Sequence, residues 1–271
     1  MIRDITIGQY YPGKSVLHSL DPRVKLIATF WLIVVIFLCK SFFSLGLIAL
    51  TAVAAAALSR VPAKMILKSL KPIVIILIFT AILNIFYTQG GETYFSWWKI
   101  EITEKGVNTA IFTMIRIVSL VVISSLLTYT TTPTMLTDAL ERILSPLKVF
   151  KIKVHTLAMM MTLALRFIPT LIEEIDRIMN AQKARGADLE TGGLVERAKA
   201  LVPIFIPLMV SAFRRAYELA FAMTCRCYTG GEGRTRMKQM KIALRDIIAI
   251  IFCAAITAGV IVLNHFFDAV I

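Results

Sequence analysis

IIAIIFCAAITAGVIVLNHFF, residues 247–267, is the stretch of sequence that decides the fold. It carries no Lys, Arg, Asp or Glu, and a helix of this length crosses the ~30 Å hydrocarbon core of a bilayer. Four earlier runs are nearly unbroken apolar sequence, with Lys25 and Arg116 as their charged residues: 24–39, 42–58, 73–87 and 107–129. The sequence therefore predicts an all-α, polytopic membrane protein with about five transmembrane helices.

The overall composition supports the same class of protein. Apolar residues make up 58% of the 271 and charged residues 17%, whereas soluble domains are usually about 45–50% apolar. The net charge of +13 also suits a nucleic-acid-binding protein, but in a membrane protein Lys and Arg collect on the cytoplasmic side. We therefore expect a lipid bilayer as a partner, and no nucleic acid.

The loops between the apolar runs predict the orientation. Basic residues precede the first run and fill the loop between the second and third, whereas the loop at residues 89–105 is acidic: Arg3, Lys14, Arg23, Lys25; Arg60, Lys64, Lys68, Lys71; Glu92, Glu101, Glu104. By the positive-inside rule the N-terminus and the 60–71 loop are expected to be cytoplasmic, and the 89–105 loop outside. Five spans then place the end of the chain outside.

The region between the fourth and fifth spans differs from the rest. Residues 134–246 hold 18 Lys and Arg against 11 Asp and Glu, a net of +7, together with apolar stretches that prolines interrupt. This pattern predicts long amphipathic helices at or beneath the membrane surface. The expected organisation is an N-terminal cytoplasmic segment at 1–23, spans one to four at 24–130, cytoplasmic coupling helices at 131–245 and the fifth span at 246–271.

Two related helices are predicted within this region, each ending in an arginine. Phe167-Ile168-Pro169 recurs as Phe205-Ile206-Pro207, and small residues flank each arginine: Ala184, Arg185, Gly186 and Cys225, Arg226, Cys227. An uncrowded guanidinium suits a carboxylate on a partner. It equally suits a helix C-terminus, where a cation complements the helix dipole. The residues alone leave both interpretations open.

Candidate chemistry elsewhere is weak. Residues 8–15 fit the phosphate-loop pattern GxxxxGK[ST], but Tyr10, Tyr11 and Pro12 fill the loop and no α/β domain follows. Cys225 and Cys227 have no Cys or His nearby to complete a zinc site. Arg116, deep in the fourth span, is expected to face the protein interior and pair with a hydroxyl, a carbonyl or a partner. No catalytic set, metal site or cofactor is predicted.

The N-terminal residues carry a specific resemblance. Gly8-Gln9-Tyr10, Pro12-Gly13-x-Ser15 and Leu17-His18-x-Leu20-Asp21-Pro22-Arg23-x-Lys25-Leu26 resemble the signature of the T component of energy-coupling factor (ECF) transporters. Ala184-Arg185-Gly186 is similar to that family's first arginine motif, and Cys225-Arg226-Cys227 to its second. The second motif departs from the pattern because Cys227 stands where a glycine is usual, which puts the geometry of that helix end in question.

The resemblance implies a non-catalytic coupling subunit of an ABC-type vitamin or metal-ion importer in the cell membrane. Two cytoplasmic ATPases would hydrolyse ATP, and a small membrane S component would bind the substrate. Arg185 and Arg226, with their flanking residues, would dock the ATPases, and apolar residues before them would contact the S component: Leu171, Ile175, Leu208 and Phe213. The alternatives are a conventional ABC permease with its own substrate path, and a basic membrane scaffold.

Overall fold

The computed structural model describes residues 10–88, 90, 93–97, 100–150, 153–187, 193–230 and 243–267. The described chain is helical, as expected: α1 (Pro22–Leu38), α2 (Phe42–Ser59), α3 (Ala63–Leu70), α4 (Val74–Tyr87), α5 (Glu104–Thr130), α6 (Pro133–Ile143), α7 (Val154–Ala184), α8 (Leu194–Cys225) and α9 (Leu244–Phe266). The apolar runs did not predict the antiparallel hairpin of β1 (Thr93–Trp97) and β2 (Ile100–Thr103), which joins α4 to α5.

Each apolar run of the sequence coincides with a helix. The third apolar run, residues 73–87, corresponds to α4. The helical path begins before this run, because α3 leads through a short 3-10 turn, Lys71–Ile73, directly into α4. Pro72 does not interrupt this path, since proline is tolerated in the first turn of a helix. Among the described residues, six helical stretches are long and apolar enough to cross a membrane, and they include α7 and Lys199–Cys225 as well as α2, Ala63–Tyr87, α5 and α9. The 17-residue α1 is shorter than these.

The chain forms two compact units, one holding the described residues of 140–230 and the other those of 10–139 and 243–267. In the second of these, four helices share one core: α1, α2, α5 and α9. Ile36, Leu45, Ile48 and Phe112 lie at its centre, almost fully buried. The α4 helix packs on α5 and contributes no buried residue, so its outer face remains exposed.

At one end of this unit, polar contacts join three chain segments. The Asp246 carboxylate accepts hydrogen bonds from the backbone N–H of Asp21, at 2.8 Å, and of Ala243, at 2.8 Å. The Lys25 ammonium donates to the carbonyl oxygens of His18, at 3.2 Å, and Thr130, at 3.1 Å. These contacts tie the N-termini of α1 and α9 to the C-terminal end of α5.

The residues that fit the phosphate-loop pattern belong to this end. Gly8 and Gln9 lie outside the described residues, and Tyr10–Lys14 adopt no regular structure. The backbone N–H of Tyr11 donates to the carbonyl of Tyr129, at 2.9 Å, and the ring of His18 packs so closely on Gly13 that a Cβ there would lie 3.1 Å from it. The described residues of this pattern therefore attach the segment before α1 to the C-terminal end of α5.

At the opposite end, two side chains satisfy the turn between α1 and α2. The Arg116 guanidinium donates to the Cys39 carbonyl, at 2.8 Å, and stacks on the Phe112 ring, 4.7 Å from its centre. The Asn264 amide donates to the Leu38 carbonyl, at 2.8 Å, and accepts from the Lys40 N–H, at 3.1 Å. The expected pairing of Arg116 with a carbonyl is therefore confirmed.

Candidate partner-docking site

The predicted docking residues lie on α7 and α8, which pack as an antiparallel pair. Near the middle of the pair, the Arg215 guanidinium donates to the Glu174 carboxylate, at 2.6 Å. Nearer the C-terminal end of α7, the Gln182 amide donates to the Pro203 carbonyl, at 3.3 Å. The residue numbers rise along one helix as they fall along the other, so the pair runs antiparallel.

The second of these contacts has a backbone cause. In an α-helix, the N–H of a residue donates to the carbonyl four positions earlier, and proline has no N–H. Pro207 therefore leaves the Pro203 carbonyl without its helical donor, and the Gln182 side chain from the other helix supplies one. The proline in the FIP repeat of α8 thus creates a contact with α7.

The C-terminal end of α7 is closed by a left-handed residue. Gly186 has φ of +84°, a conformation that glycine adopts without strain. Its N–H donates to the Lys183 carbonyl, at 3.0 Å, and the Ala187 N–H donates to the Gln182 carbonyl, at 3.0 Å. This is the Schellman arrangement, which satisfies the last carbonyls of a helix, and Arg185 is the C-cap residue directly after α7.

The end of α8 repeats this arrangement residue for residue. Cys227 has φ of +54°, and its N–H donates to the Thr224 carbonyl, at 2.9 Å. The Tyr228 N–H donates to the Met223 carbonyl, at 3.1 Å, as Ala187 does to Gln182 in α7. The cysteine therefore takes the conformation of the missing glycine, and Arg226 occupies the same place in its helix end as Arg185.

All six predicted docking residues are exposed at these two ends. Because the helices run antiparallel, Arg185 and Arg226 lie at opposite ends of the pair. About 24 residues of helix separate their levels, which at a rise of about 1.5 Å per residue is roughly 36 Å. The pair presents two alike, well-separated arginine ends rather than one combined basic cluster.

An apolar ridge runs along α8 between these ends. Its side chains recur at helical spacing and are each at least half exposed: Val202, Ile206, Val210, Phe213, Tyr217 and Phe221. Of the residues predicted to contact an S component, Phe213 is 73% exposed and lies on this ridge, whereas Leu171, Ile175 and Leu208 are half-buried. The sequence reasoning missed most of the ridge, although its spacing is visible in the sequence.

The described ranges contain no group of side chains that could hold a metal ion. No cluster of three or more His, Cys, Asp or Glu residues occurs among them. The His155 Nδ1 atom lies 3.1 Å from a Glu141 carboxylate oxygen. What the pair of helices presents is two exposed cationic ends and an exposed apolar ridge.

Comparison with known proteins identifies the family to which this chain belongs. Residues 13–237 match the family described as "Cobalt transport protein", CbiQ. A protein of Ruminiclostridium cellulolyticum, the energy-coupling factor transporter transmembrane protein EcfT, is 50% identical over 267 residues, covering 98% of this chain and all of the relative. This chain belongs to the EcfT family.

Other EcfT proteins are similarly close. The Clostridium kluyveri protein is 49% identical over 266 residues, covering 98% of each chain. The Bacillus subtilis protein is 45% identical over 259 residues, covering 94% of this chain and 98% of the relative. As an EcfT protein, the chain is the transmembrane T component of an energy-coupling factor transporter and a non-catalytic subunit of that complex.

Proposed function

We propose that this T component couples two cytoplasmic ATPases to a small substrate-binding S component, and that Arg185 and Arg226 are the two ATPase-docking charges. The observation that carries the proposal is that the two helix ends have the same backbone arrangement. Both have an exposed arginine before a left-handed residue, closed by the same two backbone hydrogen bonds. Two equivalent ends suit two similar partners, one at each.

The chemistry of each end favours an acidic groove as the partner surface. An arginine guanidinium binds a carboxylate with two parallel hydrogen bonds, and a charge held at a helix end loses little freedom on binding. The separation of roughly 36 Å along the pair leaves room for two proteins to bind at once. Cys225 and Cys227 are small enough not to crowd Arg226.

The apolar ridge of α8 is the proposed S-component surface. It contains Phe213 and adds neighbours at helical spacing to the residues first proposed, Leu171, Ile175 and Leu208. The Glu174–Arg215 ion pair joins the helices between the two docking ends. A force applied by the ATPases at those ends would therefore turn both helices together and reorient an S component bound on the ridge. The substrate would be a vitamin or a metal ion.

We also propose that α7 and α8 lie on the cytoplasmic side and do not cross the membrane, with residues 131–245 forming the coupling region and the N-terminus also cytoplasmic. Their length and apolar content would permit a span. However, α7 carries Glu173, Glu174, Asp176 and Arg177 in one short stretch, and charges within hydrocarbon cost several kcal/mol.

The docking charges are tested by co-purification from detergent-solubilised membranes. Wild type is expected to retain two ATPase equivalents and a small membrane protein, and R185A/R226A to lose the ATPases while remaining helical. The matched control is R177A/R214A, which removes two exposed arginines from within the same helices, away from their ends. Equal retention by all three proteins would mean that the arginines only complement helix dipoles. Substrate uptake with the ATPases but without any S component would favour a permease that forms its own substrate path.

The cytoplasmic placement is tested by thiol labelling at Gly193, an exposed position with open space around it, between α7 and α8. In a background with the four native cysteines replaced by serine, G193C is expected to react with an impermeant maleimide in inside-out vesicles only. K40C, in the turn between α1 and α2, is the control that should react in right-side-out vesicles. If G193C reacts together with K40C, α7 and α8 cross the membrane as a hairpin.

A further inference from the structure

The α3 helix and the 3-10 turn that follows it carry three lysines on one exposed face. Lys64, Lys68 and Lys71 follow one another at four and three residues, the spacing of a single helix face, and all are exposed. The opposite face, which includes Met65 and Ile66, is half-buried and packs towards α5. The Tyr129 hydroxyl donates to the Met65 carbonyl, at 3.1 Å, and fixes α3 beside the C-terminal end of α5.

The same exposed face continues into α4 and changes in polarity there. Ile75, Phe79, Ile82 and Phe86 follow the lysines at helical spacing, and Ile75 is 77% exposed. We call the seven residues the α3–α4 stripe. Its charged part ends at Lys71 and its apolar part begins one turn later. The apolar part rises roughly 16 Å, about half of the ~30 Å hydrocarbon core.

Among the described residues, the three lysines have none of the hydrogen bonds or ion pairs that other cations at this end of the unit make. Arg23 lies 3.6 Å from the Asp21 carboxylate, Lys25 donates to two carbonyls, and Arg245 donates to Ser19, at 3.2 Å. By contrast, residues 22–91 contain no Asp or Glu, and within the described ranges no ion pair involves Lys64, Lys68 or Lys71. Like charges one helical turn apart repel each other, so an external anion would relieve this arrangement.

We propose that the α3–α4 stripe binds an anionic phospholipid, with the phosphate on the lysines and the acyl chains along Ile75, Phe79, Ile82 and Phe86. A single phospholipid has a charged headgroup followed by apolar acyl chains, and the stripe has a charged part followed by an apolar part. An acidic protein surface would match the lysines but would leave the adjoining apolar side chains uncovered. The proposal requires only that α4 spans the membrane, and the proposed orientation adds that the lipid belongs to the cytoplasmic leaflet.

The test measures lipid selectivity around the full-length chain in phosphatidylcholine vesicles. Spin-labelled phosphatidylglycerol and phosphatidylcholine are compared by the fraction of each that is motionally restricted at the protein. Wild type is expected to prefer phosphatidylglycerol, and the preference should fall as salt rises. Each lysine near an anionic surface contributes roughly fivefold, so K64Q/K68Q/K71Q should lose most of the preference.

Two matched variants separate a site from general charge. K64R/K68R/K71R keeps the three charges and should keep the preference, whereas K14Q/K40Q/K105Q removes the same charge from scattered exposed positions and should also keep it. Retention of the preference in K64Q/K68Q/K71Q, or equal loss in the scattered variant, would overturn the proposal. So would loss of co-purifying ATPase from K64Q/K68Q/K71Q with lipid selectivity unchanged.

The measurement is independent of the ATPase docking proposed above. Both vesicle leaflets contain the labelled lipid, so the result does not depend on orientation, and no ATPase is present. Should the triple glutamine variant lose helix content by circular dichroism, K68Q alone supplies the comparison, with K40Q as its control. A K68Q preference equal to that of wild type and K40Q would then count against the stripe.

Discussion

At the scale of single residues, two positions have a locally unfavourable feature that contacts in the folded chain explain. Arg116 is a cation within an apolar helix, and it is stabilised by the Cys39 carbonyl and the Phe112 ring. Cys227 is a non-glycine residue with φ of +54°, and it closes the end of α8. In the left-handed region a side chain costs roughly 1–2 kcal/mol relative to glycine, because Cβ approaches the following carbonyl.

C227G should therefore raise the free energy of unfolding by about 0.5–1 kcal/mol, since glycine relieves the left-handed strain but gains freedom in the unfolded chain. C227V should lower it, because a branched side chain fits this region worse. Thermal unfolding in detergent measures both effects, and C225S, within the helix, is the control. Identical midpoints for the glycine and valine variants would contradict the left-handed conformation at this position.

At the scale of helices, α7 and α8 act as a pair because a few polar contacts fix one against the other. The Glu174–Arg215 ion pair lies between the two arginine ends, and the Gln182 contact depends on the carbonyl that Pro207 leaves free. The individual helices are mostly exposed, so these contacts specify the relative position of α7 and α8 more than apolar burial does. If the pair transmits motion from the ATPases to the S component, substitutions at these polar contacts should impair that transmission most.

E174Q/R215Q is expected to lower substrate uptake by the reconstituted transporter severalfold while the ATPases still co-purify. The coupling energy in a double-mutant cycle on stability should be modest, about 0.5–1 kcal/mol, as for partly exposed ion pairs. The swapped pair E174R/R215E should recover part of the uptake. An uptake rate unchanged by E174Q/R215Q would mean that this contact has no part in coupling.

At the scale of the whole molecule, the N-terminal motif joins distant parts of the chain. Asp246 is only 2% exposed, and its carboxylate accepts from backbone N–H groups at the start of both α1 and α9. Two helix N-termini near one carboxylate are favoured by their dipoles as well as by the hydrogen bonds. The segment before α1 is connected in turn to α5 through Tyr11 and Tyr129. These contacts close the four-helix core at one end.

D246A should lower the free energy of unfolding by about 3 kcal/mol, because it leaves two helix-starting N–H groups without their charged acceptor. D246N keeps one oxygen acceptor and should cost less. Amide hydrogen exchange localises the effect, since the N–H groups of Asp21 and Ala243 should exchange faster in D246A than in wild type. Uniform acceleration across all helices, with no excess at these two positions, would argue that the carboxylate has no local role.

Some features followed from the sequence alone because they depend on neighbouring residues. Apolar length predicted the spans, as at residues 247–267, and helical spacing predicted the amphipathic helices that end at Arg185 and Arg226. The missing glycine at Cys227 was visible in the sequence, but the backbone conformation of that residue was not. It was set by the hydrogen bonds that close the end of α8.

Other features depended on residues far apart in the chain, and only the tertiary structure decided them. Asp246 and Asp21 are 225 positions apart, and Glu174 and Arg215 are 41 apart. No local pattern predicts which of many similar charges will meet, because helix packing determines it. The α3–α4 stripe depends on both. Its helical spacing is visible in the sequence, but its exposure follows from the packing of α5 on the other face of α3 and α4.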